Sequence, residues 1–197
     1  MDYRGKSREH LKAASEQLDF GSDSDLKYAA LELRMAMEAL TYDRALAFKE
    51  EFPIEEYDTW QPKKVMAVLL EIDPLTDKDS TIAYGLEEKY EVPAKEMKSL
   101  GTETVLNMVV LKKHYDALGS FLHIQTIKKT KAGKTVNYER MRKRCDEIRA
   151  YLNKVLSSPV FNSTFGVFSS IECTECGKKI RKNSKGRRHH SCRVSRL

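Results

Sequence analysis

Residues 26–50 read LKYAALELRMAMEALTYDRALAFKE and contain neither glycine nor proline. Strong helix formers fill most of these positions, so the stretch predicts a helix long enough to cross a whole domain. Apolar residues recur every three to four positions along it, and this spacing predicts one buried face. The predicted face consists of Leu26, Ala30, Leu33, Met37 and Leu40.

A shorter helical pattern precedes this stretch. It is predicted to begin at Ser7 and to bury Leu11, Ala14 and Leu18, which follow one another at helical spacing. The Gly, Ser and Asp residues at 21–25 then break the pattern and offer several N-cap candidates for the long helix.

The middle of the chain is less regular. A third helix is predicted from the N-cap Thr59, with Pro62 in its first turn, to Ile72. Residues 80–86 predict a short strand or an irregular crossing, and residues 92–101 predict a loop, either without regular structure or with one helical turn.

Two more helices are predicted in the second half. One is capped by Thr102 or Thr104 and runs through Leu118, where Gly119 provides a C-terminal stop. The other spans residues 137–156. The predicted buried faces are Val105, Met108, Val109, Lys112 (through its stem) and Tyr115 in the first, and Met141, Cys145, Ile148, Tyr151, Leu152 and Val155 in the second.

The pattern changes after this last helix. Residues 161–171 are rich in aromatic and β-branched residues and predict one or two strands that lead into Cys173. The tail then reads C-x2-C-G, followed after twelve residues by H-x2-C, or after thirteen by H-x-C. Two ligand pairs at this spacing predict one structural zinc site. Its candidate ligands are Cys173, Cys176, Cys192 and either His189 or His190.

The geometry predicted for this zinc site is a small ribbon. Gly177 after the second cysteine permits a tight turn, and residues 183–186 predict a hairpin turn that returns residues 187–190 beside residues 178–181. A DNA-reading C2H2 finger is excluded, because the final H-x2-C is too short and no amphipathic recognition helix precedes the histidines.

Charge is distributed unevenly along the chain. The 197 residues carry a net charge of +6. Residues 171–197 hold nine Lys/Arg and two Asp/Glu, whereas residues 1–170 are close to neutral. Such a cationic end suggests contact with the phosphates of a nucleic acid. The candidate nucleic-acid-binding residues are Lys178, Lys179, Arg181, Lys182, Lys185, Arg187, Arg188 and Arg193.

The helical part resembles the HEPN superfamily, both in residues 26–40 and in its two pairs of long helices with a loop-rich middle. Residues 114–123, HYDALGSFLH, are similar to a stretch in uncharacterised bacterial HEPN-like proteins. The resemblance implies a helical bundle that is often dimeric. It also implies, for many members, metal-independent ribonuclease activity in toxin–antitoxin and phage-defence systems.

One departure from the family's pattern bears on activity. Active members carry Arg, four to six residues and then His near their final helices. In this chain only Arg4 and His10 have that spacing, and they lie at the N-terminus. His114 and His123 are alternative catalytic candidates, as acid and base with Arg34 or Lys113 stabilising the phosphate charge. The competing interpretation makes both histidines structural.

These observations predict a mainly α protein, with a HEPN-like bundle in residues 1–158 and a β-rich zinc-ribbon-like module in residues 159–197. The leading function is a non-enzymatic, zinc-binding, nucleic-acid-associated protein of a bacterial defence or regulatory system. The alternatives are a divergent HEPN-type ribonuclease and a structural subunit that docks a protein through the zinc module. The bundle is expected to form a homodimer or to bind a protein partner. Without an apolar leader or membrane span, the expected location is the cytoplasm.

Overall fold

The computed structural model describes residues 1–52, 61–86, 92, 94–124, 127–131, 136–163, 168–172, 174 and 179–183. The helices are α1 (Tyr3–Phe20), α2 (Leu26–Leu46), α3 (Pro62–Ile72), α4 (Met108–Leu122), α5 (Ile127–Lys131) and α6 (Tyr138–Leu156). The strands are β1 (Ser80–Tyr84), β2 (Lys98–Glu103), β3 (Phe168–Glu172) and β4 (Lys179–Asn183). The prediction of a mainly α fold is therefore confirmed.

The chain divides into two compact units. Unit 1 comprises Met1–Leu40 and Leu106–Ser157, and unit 2 comprises Thr41–Val105 and Ser158–Leu197. The boundary predicted after residue 158 lies beside the third junction between these units along the chain, after Ser157. Residues 41–105, which the sequence places in the helical bundle, belong to the same unit as the tail.

Unit 1 is built around the predicted long helix. On α2, Leu26, Ala30 and Leu33 are completely buried, and Met37 and Leu40 are nearly so, which confirms the predicted face. The predicted face of α1 is buried as well, and so is the stripe of α6 apart from the half-buried Tyr151. The Oγ of Ser7 donates a hydrogen bond of 2.9 Å to the carbonyl of Ala36 and so ties α1 to α2.

Three predicted helix ends are wrong. Helix α1 begins at Tyr3 and not at Ser7, because the Asp2 carboxylate accepts a hydrogen bond from the Gly5 N–H at 2.7 Å and caps the helix earlier. Helix α4 is capped by Asn107, which accepts from the N–H groups of residues 109 and 110, and not by a threonine. Helix α2 ends at Leu46, and turns closed by i→i+3 bonds occupy the residues predicted to continue it.

The predicted C-terminal stop of α4 is wrong, and its predicted face is right only for Val105 and Tyr115, which are buried. Val109 is 73% exposed, and the buried residues are Leu111, His114, Tyr115, Leu118 and Gly119. The contact face of α4 is therefore rotated from the predicted one, and it is set by packing against the other helices of unit 1. Gly119 lies inside the helix, which continues to Leu122.

In unit 2, α3 spans the residues predicted for it except at its start. Its N-cap is Gln61, and the predicted cap Thr59 lies outside the described residues. Strand β1 confirms the short strand predicted near residue 80, and it pairs antiparallel with β2. The prediction of a loop in residues 92–101 is wrong for Lys98 onwards, since β2 begins there. Most of β2 is exposed, so it lacks the alternating apolar pattern that identifies a half-buried strand.

Strands β3 and β4 form a second antiparallel pair, in which Phe168 pairs with Asn183 and Glu172 with Lys179.

Within the described part of the chain, no helix has the length and apolar character needed to cross a membrane.

Candidate metal and nucleic-acid site

The five candidate zinc ligands all lie outside the described residues. The strands that flank the C-x2-C-G motif are described, however. Glu172 pairs with Lys179, and paired residues in an antiparallel ladder have Cα atoms about 4.5–5.5 Å apart. Residues 173–178 are therefore the connection, in the sequence, between two paired strands, whose ends Glu172 and Lys179 are held together by the ladder. Cys173 and Cys176 belong to this six-residue connection.

The sequence did not predict this pairing of β3 with β4. The predicted partner of residues 178–181 was the segment 187–190, whereas β4 pairs with β3, which precedes the cysteines. The segment 187–190 lies outside the described residues, so pairing along the second edge of β4 stays a prediction. Strand β4 carries three of the candidate nucleic-acid-binding residues, Lys179, Arg181 and Lys182, and the other five lie outside the described residues.

The chain that leads to the hairpin is anchored in unit 2 by a buried ion pair. Arg44 Nη1 lies 3.1 Å from Glu103 Oε1, with side chains that are 12% and 4% exposed. The same Glu103 oxygen accepts a hydrogen bond of 2.7 Å from the N–H of Asn162. The Asn162 side chain donates to the carboxylate of Asp43 at 2.8 Å. The end of α2, the end of β2 and the segment before β3 are thus held together.

Asn162 adopts a backbone conformation that asparagine tolerates better than most residues. Its φ is +54°, in the left-handed region. The turn aims its N–H at Glu103 while its side chain reaches Asp43. A β-branched residue here would be strained and would lose the Asp43 contact.

A second set of contacts fixes the segment just before Asn162. The Thr104 N–H donates to the Ser158 Oγ at 2.9 Å. Gly101 has φ +138°, and a Cβ at this position would lie 2.5 Å from Cγ of Pro159. Both the backbone angle and the close approach of Pro159 therefore require glycine at residue 101.

The buried carboxylate of Glu103 is only half satisfied. Its Oε2 has no hydrogen-bond partner among the described residues, and neither has the buried Oγ1 of Thr76. Arg44 Nε donates to the Thr76 carbonyl at 3.2 Å, so Thr76 and Glu103 both contact the same guanidinium through their other oxygens. Among the described residues, no group of three or more His, Cys, Asp or Glu side chains could hold a metal ion.

The catalytic candidate His114 is buried in unit 1. It is 8% exposed, and its ring lies 6.4 Å from that of Tyr151, centroid to centroid. Burial lowers the pKa of His114, and the positive charges of Arg144 and Lys113 lower it further, against an opposing effect of Glu147. Since the ordinary pKa is 6.5, the ring is neutral at pH 7 and is a poor general acid there.

The second catalytic candidate, His123, is exposed at the C-cap of α4. Nine residues separate it from His114, which corresponds to about 13 Å along a helix at about 1.5 Å per residue. An acid and a base that act on one phosphodiester must both reach it through hydrogen bonds. This separation is too long for the two histidines to act as such a pair.

Arg34, the proposed phosphate contact, is occupied within unit 1. Its guanidinium carbon lies 4.0 Å from the ring centroid of Tyr115, and the Tyr115 hydroxyl donates to Glu38 at 2.5 Å. A Cβ on Gly119 would lie 3.1 Å from Arg34 Nη1, so this glycine leaves room for the guanidinium. Arg34 and Glu38 of α2 thus both contact Tyr115 of α4. Burial, and then the bond to Glu38, raise the pKa of Tyr115.

Arg4 and His10, the one pair with the HEPN spacing, make separate contacts. Arg4 is buried and donates from Nη2 to the carbonyl of Val155 at 2.8 Å. His10 Nδ1 lies 2.7 Å from the Glu32 carboxylate. Both side chains therefore connect α1 to another helix of unit 1.

Cys145, the fourth cysteine, is completely buried on α6. Desolvation raises the pKa of its thiol to about 12, so it is protonated at neutral pH. Its predicted role as a packing residue agrees with this burial.

No protein-family model, curated protein or solved structure matches the chain. The HEPN-like bundle and the zinc-ribbon-like module therefore stay predictions.

The pH dependence of stability provides a test of the environment of His114. The unfolded chain binds a proton at this residue near pH 6.5, whereas the folded chain keeps the ring neutral to a lower pH. The free energy of unfolding is therefore expected to fall as the pH drops below 6.5, by at most about 1.4 kcal/mol per pH unit from this group. Urea titrations between pH 7 and 5 should show a smaller fall for His114→Asn than for wild type. The matched control His123→Asn, on the exposed histidine, should keep the wild-type slope, and an unchanged slope in His114→Asn would contradict this assignment.

Proposed function

We propose that this chain is a non-enzymatic protein that contacts nucleic-acid phosphates through a zinc-stabilised basic hairpin carried by a mainly helical body. The observation that carries the proposal is the register of β3 and β4. Because Glu172 pairs with Lys179, the C-x2-C-G motif occupies a hairpin connection, as expected of the first half of a ribbon-type zinc site. Cys192 and one of His189 and His190 complete the proposed tetrahedron.

The charge of the tail supports a phosphate partner. Three thiolates and one Zn²⁺ contribute −1 together, so a tail with nine Lys/Arg and two Asp/Glu stays strongly cationic when metal is bound. The metal would hold these cations on a short, stiff segment and so reduce the entropy lost on binding. Since the segment has no predicted recognition helix, the expected contacts are to the backbone and carry little sequence preference.

The buried Arg44–Glu103 pair adds a reason why the hairpin would be presented in a defined position. Asn162 bonds to that pair only six residues before β3 begins. A bacterial defence or regulatory role, and a dimer or protein partner for the bundle, follow from the HEPN resemblance and form part of this proposal.

The proposal predicts that charge on the tail controls the affinity for nucleic acid. Neutralising Lys185, Arg187 and Arg188 together, each to Gln, is expected to weaken binding to a labelled random 20-mer at least tenfold at 0.1 M salt. The slope of log Kd against log[salt] should fall by about two to three, since each lost phosphate contact removes about 0.7–0.9. Fluorescence anisotropy at several salt concentrations measures both quantities.

The matched control neutralises three exposed lysines of unit 1, Lys6, Lys12 and Lys27, to Gln. This control loses the same charge, so a specific tail effect requires that it bind almost as wild type. Equal binding by wild type and the tail variant would overturn the proposal.

A further inference from the structure

A second cationic stretch lies inside the nearly neutral body of the chain. Residues 112–144 contain ten Lys/Arg and only two Asp/Glu. The remainder of residues 1–170 contains sixteen Lys/Arg and twenty-five Asp/Glu, so the body is neutral only on average. The basic stretch comprises most of α4, all of α5 and the start of α6.

The helices of unit 1 place both ends of this stretch close together. Asn107, at the start of α4, donates its N–H to the hydroxyl of Tyr151, near the end of α6, at 3.1 Å. His114, further along α4, contacts the ring of the same Tyr151 and senses the charges of Arg144 and Glu147. Helices α4 and α6 are therefore antiparallel, and the end of α4 lies beside the start of α6.

Cations of α4 and α6 therefore lie on neighbouring helices, and α5 lies between these two helices in the sequence. We call this group the α4–α6 basic end, and it consists of Lys113, Lys128, Lys131, Arg140, Lys143 and Arg144. All except Arg144 are exposed, and the Arg144 side chain is 25% exposed.

The acidic groups near this end compensate it only in part. Glu147 lies 2.9 Å from Arg144, and Asp146 pairs with Arg149 at the same distance. Asp116 of α4 and Glu139 of α6 are exposed. The two neighbouring cations Lys113 and Arg144 together outweigh Glu147 in their effect on the pKa of His114.

We propose that the α4–α6 basic end is a second nucleic-acid contact, which binds backbone phosphates independently of the C-terminal tail. Exposed Lys and Arg side chains on short helical segments suit phosphate oxygens, and arginine can bind them in a bidentate manner. The contact deepens the proposed function, because two separate cationic surfaces on one chain would both contribute to the salt dependence of binding.

Two exposed aliphatic residues at the same end raise one alternative to nucleic-acid binding, which is binding to an anionic lipid surface. Ile124 is 93% exposed and Ile127 is 76% exposed. An anionic lipid surface would bury these side chains, whereas phosphate binding needs only the cations. The apolar area of two isoleucines is small, and the cations outnumber them threefold, so we favour nucleic acid.

The central experiment uses the full-length, zinc-loaded chain and neutralises three exposed residues of the basic end. The variant Lys131→Gln, Arg140→Gln, Lys143→Gln is compared with the Lys6, Lys12 and Lys27 control and with the tail variant. Binding to the labelled 20-mer at 0.1 M salt is expected to weaken five- to tenfold in the basic-end variant. The salt slope should fall by about two. Binding equal to that of the control overturns the inference, whatever the tail variant does.

The outcomes separate this inference from the proposed function. Weakening in the tail variant alone refutes the basic end and leaves the tail function standing. Weakening in the basic-end variant alone refutes the tail function and supports the inference. Vesicles with an anionic phospholipid test the rival. If the basic end serves a membrane, Ile124→Ser with Ile127→Ser will reduce vesicle binding, and the three neutralised cations will leave binding to the 20-mer unchanged.

His114 supplies a spectroscopic readout that a general loss of stability would not mimic. Phosphates bound near Lys113 and Arg144 would offset their positive charges. The pKa of His114, followed by NMR in the folded chain, is therefore expected to rise when the 20-mer is added to wild type. It should not rise in the basic-end variant. A wild-type pKa that stays constant at saturating 20-mer would contradict a phosphate contact at this site.

Discussion

Replacing Cys176 with serine is expected to reduce bound zinc from about one ion per chain to less than a tenth of that. A serine hydroxyl is not a thiolate at neutral pH, and structural zinc sites contribute about 10–16 kcal/mol of apparent folding energy in small modules. Loss of the metal should also weaken binding of the labelled 20-mer at least tenfold, because the cationic segment would no longer be held in one conformation. Elemental analysis of dialysed protein and anisotropy measure the two effects.

The chain provides its own control for this experiment. Cys145 is completely buried on α6 in unit 1, and Cys145→Ala should keep a full complement of zinc. His189→Asn and His190→Asn then decide between the two histidines, since only the ligand's replacement should release metal. A wild-type protein that is folded and free of zinc would refute the predicted site.

Removing the carboxylate of Glu103 is expected to cause the largest loss of stability among single changes in unit 2. The side chain is 4% exposed and pairs with Arg44, which is itself 12% exposed. Deleting one partner of a buried pair leaves the other charge uncompensated, at a cost of about 3–5 kcal/mol. Glu103→Ala should therefore lower the free energy of unfolding by about 3 kcal/mol or more in urea denaturation. It also removes the acceptor for the Asn162 N–H.

An exposed ion pair is the appropriate comparison. Glu16 lies 4.0 Å from Lys12 on α1, and both side chains are largely exposed. Glu16→Ala should change stability by less than about 0.5 kcal/mol, because solvent screens such pairs. If the two alanine variants were equally stable, the Arg44–Glu103 pair would not anchor this part of the fold. Glu103→Gln keeps one acceptor for Asn162 and is expected to lie between wild type and Glu103→Ala.

The contacts of Asn162 with Glu103 and Asp43 are also expected to affect nucleic-acid binding, because they hold the segment before the hairpin. Asn162→Gly preserves the left-handed φ of +54° but deletes the amide that binds Asp43. If the anchor positions the hairpin, this variant should bind zinc normally and bind nucleic acid more weakly. Such a result would separate positioning of the hairpin from assembly of its metal site.

Strong local patterns allowed several elements to be identified from sequence. The buried faces of α2 and α6 follow from apolar spacing over five turns, which few other structures satisfy. Strand β1 and the strand before the cysteines were also located. The zinc ligands and the basic tail depend on residue type and spacing, and they stay predictions because they lie outside the described residues, apart from the three basic residues of β4.

Other features left no local signal. Strand β2 exists because β1 pairs with it, and its mostly exposed residues carry no amphipathic pattern. The start of α4 depends on which of several capping residues is used, and Asn107 was not distinguishable from the threonines before it. The buried face of α4 depends on which helices pack against it. Gly119 resembles a helix stop, yet it lies inside α4, next to the guanidinium of Arg34.

By itself, the sequence determined the helical class, the principal apolar faces and the spacing of the candidate zinc ligands, because each of these depends on residues within a few turns of one another. Only the tertiary structure decided that Arg44 pairs with Glu103, 59 residues away, and that Asn162 joins them. It also revealed that cations of α4 and α6 converge near His114. Pairing between buried polar groups depends on which distant segments share a site, and local residue patterns do not encode that choice.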